Sequence, residues 1–417
     1  MSQVIIIGGG IVGISSAYYL KKLGYDVTII DKTDISNSCS YGNAGYICPS
    51  HFVPLATPGI VKQGLRWMLN SSSPFYIQPR LSWGLIDWGL KFIKSATPQH
   101  VENAAIPLRD IAILSKKMYE EWINEEKLDL AYEKKGLLEV FQTQAKKEYA
   151  EQLVKKAHKL GLTDTIMLDY NALQAMEPQT KINAIGAVYF KCDAHAYPQK
   201  LMQSMIAKLR AMGVTFKLNE EVIGFEKMGK NIASIITATN KYTCDEVVIA
   251  SGSWSRELVK KLDIKIPLVG GRGYSVTLEN SEHKLNYPAV LMEGRAALTP
   301  MDGNKIRFGG TMEITNTNSP PRINRVEGLL KAVQGFYPSF KIETPPIEKV
   351  WYGFRPCSAD GLPYIGKTNK YANLTIATGH AMVGFSLGAG TGLLVSEVVN
   401  NQPTSMDITP FKVQRWD

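Results

Sequence analysis

The stretch VIIIGGGIVGISSAYYLKKLGYDVTIID, residues 4–31, decides the fold that we expect of this chain. It begins with Val4–Ile7, a β-branched run typical of a strand that is buried on both faces. A helical apolar pattern and a second apolar run follow, and the second run ends at Asp31. Between the first run and the helix, three glycines form the pattern G-x-G-x-x-G: Gly8, Gly10 and Gly13. This order predicts a parallel βαβ unit that binds a dinucleotide.

Each part of this unit has a physical role in binding a dinucleotide. Gly8 permits the tight turn, Gly10 lets the backbone approach a pyrophosphate, and Gly13 lets the helix pack on the strand. The N-terminus of the helix offers unpaired N–H groups and partial positive charge to the phosphates. Asp31 is placed to accept hydrogen bonds from the ribose hydroxyls, and its charge disfavours a 2′-phosphate, so we do not expect NADP.

The composition of the whole chain bounds its class. Its 417 residues predict two domains, and 45% hydrophobic and 20% charged residues are ordinary for a globular protein. Five scattered cysteines without C-x-x-C spacing predict free thiols in a reducing compartment and no metal site. The net charge of +9 is spread along the chain and accompanies no nucleic-acid-binding motif, so we expect no nucleic-acid partner.

A second strand-and-turn signal lies far along the chain. Glu246–Ala250 is a buried-strand run that leads into Ser251 and Gly252, small residues suited to a turn past a ribose and a pyrophosphate. Together with the N-terminal unit it favours FAD over NAD, because FAD-binding proteins interleave their halves along the chain. Between the two signals lie a long irregular stretch, residues 36–97, and a largely helical stretch, residues 99–162.

The order of the remaining motifs resembles a known family. These motifs are CSYGNAGYICPS (39–50), VVIASGSWS (247–255), GRGYS (271–275), GFRPCSADGLPYIG (353–366) and ATGHAMVGFSLGAGTG (377–392). With the N-terminal unit they resemble the D-amino acid oxidase family of FAD-dependent oxidoreductases. NAG-x-I-x-P followed by PLATPG resembles, more narrowly, the bacterial D-amino acid dehydrogenases. The resemblance covers essentially the whole chain, and its ends are more specific than its middle.

The resemblance implies an α/β (α+β) protein of two interleaved domains. A Rossmann-like FAD-binding domain is expected to comprise residues 1–98, 196–260 and 350–417. A substrate-binding domain, built from a β-sheet and helices, is expected to comprise residues 99–195 and 261–349. We expect FAD to be bound non-covalently, because no cysteine matches the position through which some relatives tether the flavin.

The resemblance also implies the substrate-binding residues. Arg355 takes the part of a carboxylate clamp, which suits a planar fork of donors, and Tyr274 donates to the same carboxylate. For each there is a structural alternative, an arginine that caps a turn and a half-buried strand tyrosine. His51 lies where the chain crosses the expected active site, although a surface or hydrogen-bonded histidine is the simpler interpretation.

The expected flavin contacts fall into the N-terminal unit, a ring-lining segment and the turn into the last helix. The helix N-terminus in that turn is expected to point at the flavin pyrimidine edge, and His380 either faces the flavin or packs beneath it. The full set is Gly8, Gly10, Ile11, Val12, Gly13, Asp31, Lys32, Asn43, Ala44, Gly45, Val222, Ser251, Gly252, Gly353, Gly379, His380, Val383, Gly384, Phe385 and Ser386.

The implied activity is oxidative deamination of D-amino acids by hydride transfer from Cα to flavin N5. Small or apolar substrates are expected, with D-proline and D-hydroxyproline among them, and a quinone or another non-oxygen acceptor takes the electrons. The alternative is a glycine- or sarcosine-type oxidase that uses oxygen, and the residues do not separate the two. A flavin-binding subunit without catalysis of its own is a third hypothesis, against which Arg355 argues.

One stretch bears on where the protein lies in the cell. Residues 64–93 carry three tryptophans among leucines and basic residues, a composition suited to a membrane interface. The alternative is packing over the flavin domain. With the resemblance, the stretch indicates a cytoplasmic protein attached peripherally to the inner face of the cytoplasmic membrane.

Overall fold

The computed structural model describes residues 2–68 and 73–417, so a small part of the 64–93 stretch lies outside the described residues. The strands in chain order are β1 (Gln3–Ile7), β2 (Asp26–Ile30), β3 (Tyr46–Ile47), β4 (Phe75–Ile77), β5 (Leu137–Phe141), β6 (Thr165–Asp169), β7 (Gly186–Phe190), β8 (Ala194–His195), β9 (Thr215–Lys217), β10 (Val222–Met228), β11 (Asn231–Thr237), β12 (Lys241–Thr243), β13 (Glu246–Ile249), β14 (Leu268–Leu278), β15 (Ala289–Leu291), β16 (Ala296–Met301), β17 (Lys305–Ile314), β18 (Trp351–Ser358), β19 (Tyr364–Lys367) and β20 (Leu374–Thr378). The α-helices are α1 (Ile11–Lys22), α2 (Ile60–Met68), α3 (Trp83–Ser95), α4 (Pro98–Glu126), α5 (Gln144–Lys159), α6 (Tyr170–Met176), α7 (Pro198–Ala211), α8 (Ser255–Lys260), α9 (Ile323–Phe336) and α10 (Gly384–Val399).

The expected βαβ unit forms the centre of a six-stranded sheet in the order β19-β20-β13-β1-β2-β9. All neighbouring strands in it are parallel except β19, which runs antiparallel to β20. Buried β-branched residues fill β1, β2 and β13, as expected of a sheet covered on both faces. The small sheet β10-β11-β12 adjoins it in sequence between β9 and β13.

Three helices pack closely on one face of this sheet. Helix α10 lies against α1 and α4, and its glycines make the close approach possible. A Cβ added to Gly392 would lie 2.5 Å from the Ser15 backbone of α1, and one added to Gly390 would lie 2.9 Å from the Ser115 backbone of α4. Residues 381–399 are long and apolar enough to cross a membrane by composition, but 67% of that window is buried inside the protein, as expected of a core helix.

The second sheet has nine strands in the order β18-β14-β17-β16-β15-β5-β7-β6, with β4 paired to β17. Helix α9 packs on one face of it, through a separate hydrophobic core. The opposite face of β14 and β18 is turned towards the segment after β2, since Trp351 of β18 covers Gly42. The Rossmann-like unit and the sheet-plus-helix unit together match the expected two-part α/β architecture.

Two features differ from the sequence-based expectations. The stretch 36–97 is not irregular throughout, because it contains β3, α2, β4 and α3. The expected domain boundaries also cut differently from the packing. Helix α4, assigned to the substrate domain, buries Tyr119 against Phe385 of α10, while β18, assigned to the FAD domain, lies in the nine-stranded sheet. The short elements within 36–97 and the grouping of elements into domains both depend on packing between distant parts of the chain, which local composition does not predict.

Candidate active site

The carboxyl ends of the parallel strands meet at one edge of the six-stranded sheet. Gly8, with φ +115°, turns the chain out of β1, and a Cβ on it would lie 2.6 Å from the carbonyl oxygen of Ala250 at the end of β13. A Cβ on Gly13 would lie 1.9 Å from the carbonyl oxygen of Gly8. Gly10 faces open space apart from Ser40 Oγ at 3.6 Å. The turn is therefore tight where strand and helix touch and open where a pyrophosphate would approach the start of α1.

Asp31 fixes the glycine turn from the end of β2. Its Oδ2 accepts a hydrogen bond from Gly9 N at 2.7 Å, and its Oδ1 accepts from the N–H and the hydroxyl of Thr33, each at 2.8 Å. Ser40 Oγ accepts from Ile11 N at 3.0 Å, so one of the N–H groups at the start of α1 is already bonded to a side chain. The carboxylate thus fixes the glycine turn and keeps an oxygen at the strand edge for a hydroxyl donor.

The other expected residues of the dinucleotide half lie around the same edge. The Lys32 ammonium lies 4.0 Å from the ring centroid of Trp254, which follows Ser251 and Gly252 in a short 3-10 turn. Gly252 O accepts from Thr378 Oγ1 at 2.9 Å, which joins the ends of β13 and β20. Val222, at the start of β10, is buried with Ile30 and Val247 in one core.

The ring-lining segment 41–46 is held by side chains of the nine-stranded sheet. Arg307, buried in β17, donates from Nη1 to the carbonyl oxygens of Tyr41 and Asn43, both at 2.8 Å. Thr299 Oγ1 donates to Ala44 O at 2.7 Å. The Asn43 side chain accepts from Gly45 N at 2.9 Å. Sequence reasoning missed Arg307 and Thr299, although a buried-strand arginine in KIRFGGTMEI was a signal that could have pointed to the first.

Replacing Arg307 with alanine is expected to raise the FAD dissociation constant at least ~10-fold. The variant leaves two buried carbonyls unpaired, at a cost of about 1–3 kcal/mol each, and 1.4 kcal/mol corresponds to tenfold in affinity. Titration of the apoprotein followed by flavin fluorescence measures the constant. Thr277→Ala is the matched control, since Thr277 Oγ1 accepts from Arg307 Nε at 3.0 Å without touching the segment. Equal FAD affinity of a folded Arg307→Ala protein would contradict the assignment.

The turn into α10 presents a helix N-terminus at the same edge. Val383 precedes the first residue, Gly384, and no side chain caps the helix. Ser386 Oγ accepts from Cys48 N at 2.8 Å, and Phe385 O accepts from the Tyr119 hydroxyl at 2.5 Å. The first-turn N–H groups therefore stay available to an anionic or carbonyl edge of a ligand.

His380 packs beneath this turn, which settles the alternative left open above. Its side chain is 2% exposed, and Nε2 lies 3.0 Å from Thr391 Oγ1 in α10. Because the Thr391 hydroxyl donates to Leu387 O at 2.8 Å, it accepts from Nε2, which therefore carries the ring proton. Gly379, with φ +85°, provides the bend before it, and Gly353 lies opposite Gly273 across β18 and β14.

Replacing His380 with glutamine is expected to cost stability that depends on pH. Burial lowers the pKa of His380 to about 3, against about 6.5 in the unfolded chain. The folded-state pKa is the lower one, so between pH 6.5 and 3 the unfolded chain takes up a proton on His380 while the folded protein does not. The contribution of His380 to the unfolding free energy is therefore fully present above pH 6.5 and is lost as the pH falls towards 3. The difference in unfolding free energy between wild type and His380→Gln should shrink by about 1.4 kcal/mol per pH unit in this window.

Denaturant titrations at pH 8, 6 and 5 measure this difference. The control is Thr391→Val, which removes the hydrogen-bond partner but keeps the titrating ring, so its difference from wild type should not shrink in this way. A difference for His380→Gln that is constant or grows on acidification would show that the ring is not held neutral.

Arg355 is a guanidinium inside the protein that no carboxylate neutralises. Nη1 donates to Thr311 O at 2.5 Å and Nη2 to Gly310 O at 3.4 Å, and the group lies flat over Gly273, where a Cβ would come within 2.2 Å of it. Within residues 2–68 and 73–417, no acidic side chain forms an ion pair with Arg355. Burial lowers the pKa of Arg355, as expected of a desolvated cation. Its remaining donors suit a planar anion.

The structure separates Tyr274 from Arg355, which corrects the predicted pairing. Tyr274 is on the other face of β14, where its hydroxyl donates to Glu313 Oε2 at 2.9 Å and accepts from Arg322 N at 2.9 Å. Side chains alternate along a strand, so Gly273, and not Tyr274, shares a face with Arg355. The motif GRGYS therefore supplies the glycine floor beneath the arginine, and Tyr274 belongs to the core beneath α9.

His51 lies in a separate polar cluster next to the ring-lining segment. Asp193, fully buried, accepts from Ser50 N at 3.1 Å and from Ser50 Oγ at 2.5 Å, while Ser50 Oγ lies 3.3 Å from His51 Nδ1. Burial lowers the pKa of His51 to about 4 and raises that of Asp193 to about 6. Cys48, His51 and Asp193 offer ligand atoms within 4.8 Å of one another and could hold a metal ion, which the scattered cysteines had not indicated.

The glycine turn, the open helix ends and the ring-lining segment fit an extended dinucleotide cofactor. Comparison with known proteins agrees. Residues 3–398 match the family described as FAD dependent oxidoreductase. A D-amino acid dehydrogenase of Helicobacter pylori is 31% identical over 402 residues, covering 95% of this chain and 94% of the relative. A D-amino acid dehydrogenase of Vibrio atlanticus is 29% identical over 425 residues, covering 99% of this chain and all of the relative.

Solved structures share the fold over the full length. Glycine oxidase from Geobacillus kaustophilus superposes with a TM-score of 0.79 at 21% identity and covers 100% of both chains. L-proline dehydrogenase from P. horikoshii superposes with a TM-score of 0.75 at 18% identity, covering 100% of this chain and 97% of the other. At this identity the likeness shows the architecture alone, and it confirms the expected fold class.

The expected resemblance, cofactor and fold class are thereby confirmed together. FAD is the characteristic cofactor of this family, and the similarity to bacterial D-amino acid dehydrogenases extends over nearly the whole chain. By its cofactor-binding architecture and by this full-length similarity, the chain belongs to the family of FAD-dependent oxidoreductases.

Proposed function

We propose that this protein is a D-amino acid dehydrogenase that oxidises small or apolar D-amino acids, D-proline and D-hydroxyproline among them, and passes the electrons to a quinone. The observation that carries the proposal is Arg355, a partly buried guanidinium that forms no ion pair among the described residues and lies over Gly273, one residue after Phe354, whose N–H donates to Cys39 Sγ at 3.3 Å just before the segment expected to line the flavin. The names of the relatives support the D configuration.

The residues of this chain perform binding, orientation and charge control. Arg355 holds the substrate carboxylate with two parallel N–H donors, which fixes the Cα–H of the substrate in one direction. FAD, when bound, supplies the two-electron oxidation by accepting a hydride. The positive charge of Arg355 and the buried surroundings both disfavour an ammonium, so they favour the neutral amine whose lone pair assists the oxidation.

Carboxylate recognition depends on the floor beneath Arg355. The backbone carbonyls of Gly310 and Thr311 occupy one side of the guanidinium, and Gly273 lies under it, so the free donors point in one direction. A passive flavin-binding subunit has no use for a half-buried cation with free donors and no ion pair among the described residues. We therefore favour an enzyme over a subunit without activity of its own.

Anaerobic mixing of the yellow protein with a panel of D- and L-amino acids tests the proposal. We expect bleaching of the flavin absorbance by D-alanine and D-proline and none by their L enantiomers. Reoxidation of the bleached enzyme should be fast with a quinone analogue and slow with oxygen. Bleaching by glycine or sarcosine with release of hydrogen peroxide would replace the proposal with the oxidase alternative, and no bleaching by any amino acid would overturn it.

A further inference from the structure

Helix α3 is apolar on two sides, and only one of them faces the protein. Leu85, Trp88 and Phe92 form the inner side. Trp88 is 4% exposed, stacks on Phe92 with ring centroids 4.9 Å apart, and donates from Nε1 to Cys357 O at 3.0 Å. These contacts hold α3 against the strand that carries Arg355 and leave the orientation of the helix fixed.

The outer side exposes large apolar side chains that nothing in the described protein covers. The exposed fraction is 101% for Leu81, 86% for Trp83, 43% for Ile86, 64% for Leu90 and 54% for Ile93. Four of these residues recur every three or four positions, so they form one stripe along α3, and Leu81 extends it. We call these five residues the α3 face. A contiguous apolar patch of this kind marks an interaction surface.

The charges around the α3 face are predominantly positive. The guanidinium of Arg256 lies against Gly84, where a Cβ would come within 1.7 Å of it. Arg80 Nη1 donates to Ile314 O at the end of β17 and to Gln78 O. Lys94 is exposed beside the stripe. The one acidic residue of α3, Asp87, is paired to Lys91 at 2.7 Å. Among the residues that the structure describes, Arg80, Arg256 and Lys94 form no ion pair, and an apolar stripe edged by such cations matches the boundary of a bilayer that contains anionic lipids.

We infer that the α3 face inserts into the interfacial region of an anionic membrane, with α3 parallel to the bilayer surface. A second copy of the chain fits the α3 face less well than a membrane does. The stripe is one face of a single helix of 13 residues, about 20 Å long and one helix wide, whereas a stable interface between two proteins needs a contact area of roughly 800 Å² from each partner. A twofold pairing would also bring Arg80, Arg256 and Lys94 of both copies together. The inference rests on the proposed function in one respect, because a quinone acceptor dissolves in the same bilayer. Lipid binding is measured without turnover, so the membrane inference and the proposed activity can each fail without the other.

Sedimentation of the full-length holoenzyme with lipid vesicles tests this inference. We expect binding to vesicles of phosphatidylcholine with phosphatidylglycerol, and at least ~10-fold weaker binding to phosphatidylcholine alone because the cations then lose their partner. The double variant Trp83→Ser, Leu90→Ser should bind anionic vesicles at least ~10-fold more weakly. Bleaching of its flavin by the amino acid and reoxidation by a soluble dye should be unchanged, and an unchanged thermal unfolding temperature would show independently that the variant is folded.

The matched control replaces two exposed isoleucines elsewhere. Ile106 and Ile113 on α4 are 52% and 46% exposed, so Ile106→Ser, Ile113→Ser removes two exposed apolar side chains outside the α3 face and should leave vesicle binding unchanged. Absence of vesicle binding by the wild type, or equal binding by both double variants, would overturn the inference. So would a wild-type dimer in analytical ultracentrifugation that only the α3 variant abolishes, since it would assign the face to a second copy.

Discussion

Bleaching of the flavin by an amino acid is expected to be at least ~100-fold slower in Arg355→Ala, which corresponds to about 2.7 kcal/mol of lost stabilisation. The guanidinium of Arg355 forms no ion pair within the described residues and keeps donors free beyond its bonds to Gly310 and Thr311, whereas the Arg307 guanidinium is taken up by backbone carbonyls and Thr277. Removal of Arg355 therefore leaves the substrate carboxylate without charge-assisted donors. Anaerobic stopped-flow absorbance at several substrate concentrations separates weaker binding from slower reduction.

Two further variants show whether the geometry of Arg355 matters. Arg355→Lys keeps the charge but offers no planar fork, so it should recover only part of the loss. Gly273→Ala keeps Arg355 but places a methyl group where the guanidinium lies, at 2.2 Å, so it should slow bleaching although the arginine is present. Unchanged bleaching in Arg355→Ala with FAD still bound would remove this residue from the substrate site and with it the main support for the proposed function.

The second large effect is expected from Gly392→Val in α10. The added side chain would start 2.5 Å from the Ser15 backbone, so α1 and α10 would have to move apart in a core that is already filled. Overpacking of this kind costs about 1–3 kcal/mol, and we expect the upper end because the obstacle is backbone. Since both helices begin at the cofactor edge, FAD should also be retained less well. Thermal unfolding of the apo and FAD-bound forms measures both effects.

The control for Gly392→Val is a helical glycine that meets no neighbour. A Cβ on Gly89 of α3 has nothing within 4 Å, so Gly89→Ala should instead raise stability by about 0.5–1 kcal/mol through helix propensity. If the two variants changed stability by similar amounts, close packing of α10 on α1 would not be the reason for the glycines.

The dinucleotide half was predictable because its signals are local. A tight turn, a helix start and a strand end each require particular residues within about thirty positions of one another. The roles of Gly8, Gly13 and Asp31 can therefore be predicted from their spacing. The substrate half depends on contacts between distant strands. Arg307 reaches Asn43 across 264 positions, and no local pattern announces such a pair. The close packing of α10 on α1 likewise depends on Gly392, whose partner Ser15 lies far away in the chain.

By itself, the sequence determined the βαβ unit, the use of FAD and the family, because the conformation of a turn and the burial of a strand depend on residues that are close together in the chain. Only the tertiary structure decided that Gly273 and not Tyr274 lies beneath Arg355, that His380 packs under α10, and that α3 turns Trp83 outward. The physical reason is that the face of a strand or helix that meets a ligand depends on what covers the opposite face, and that partner is supplied by a remote part of the chain.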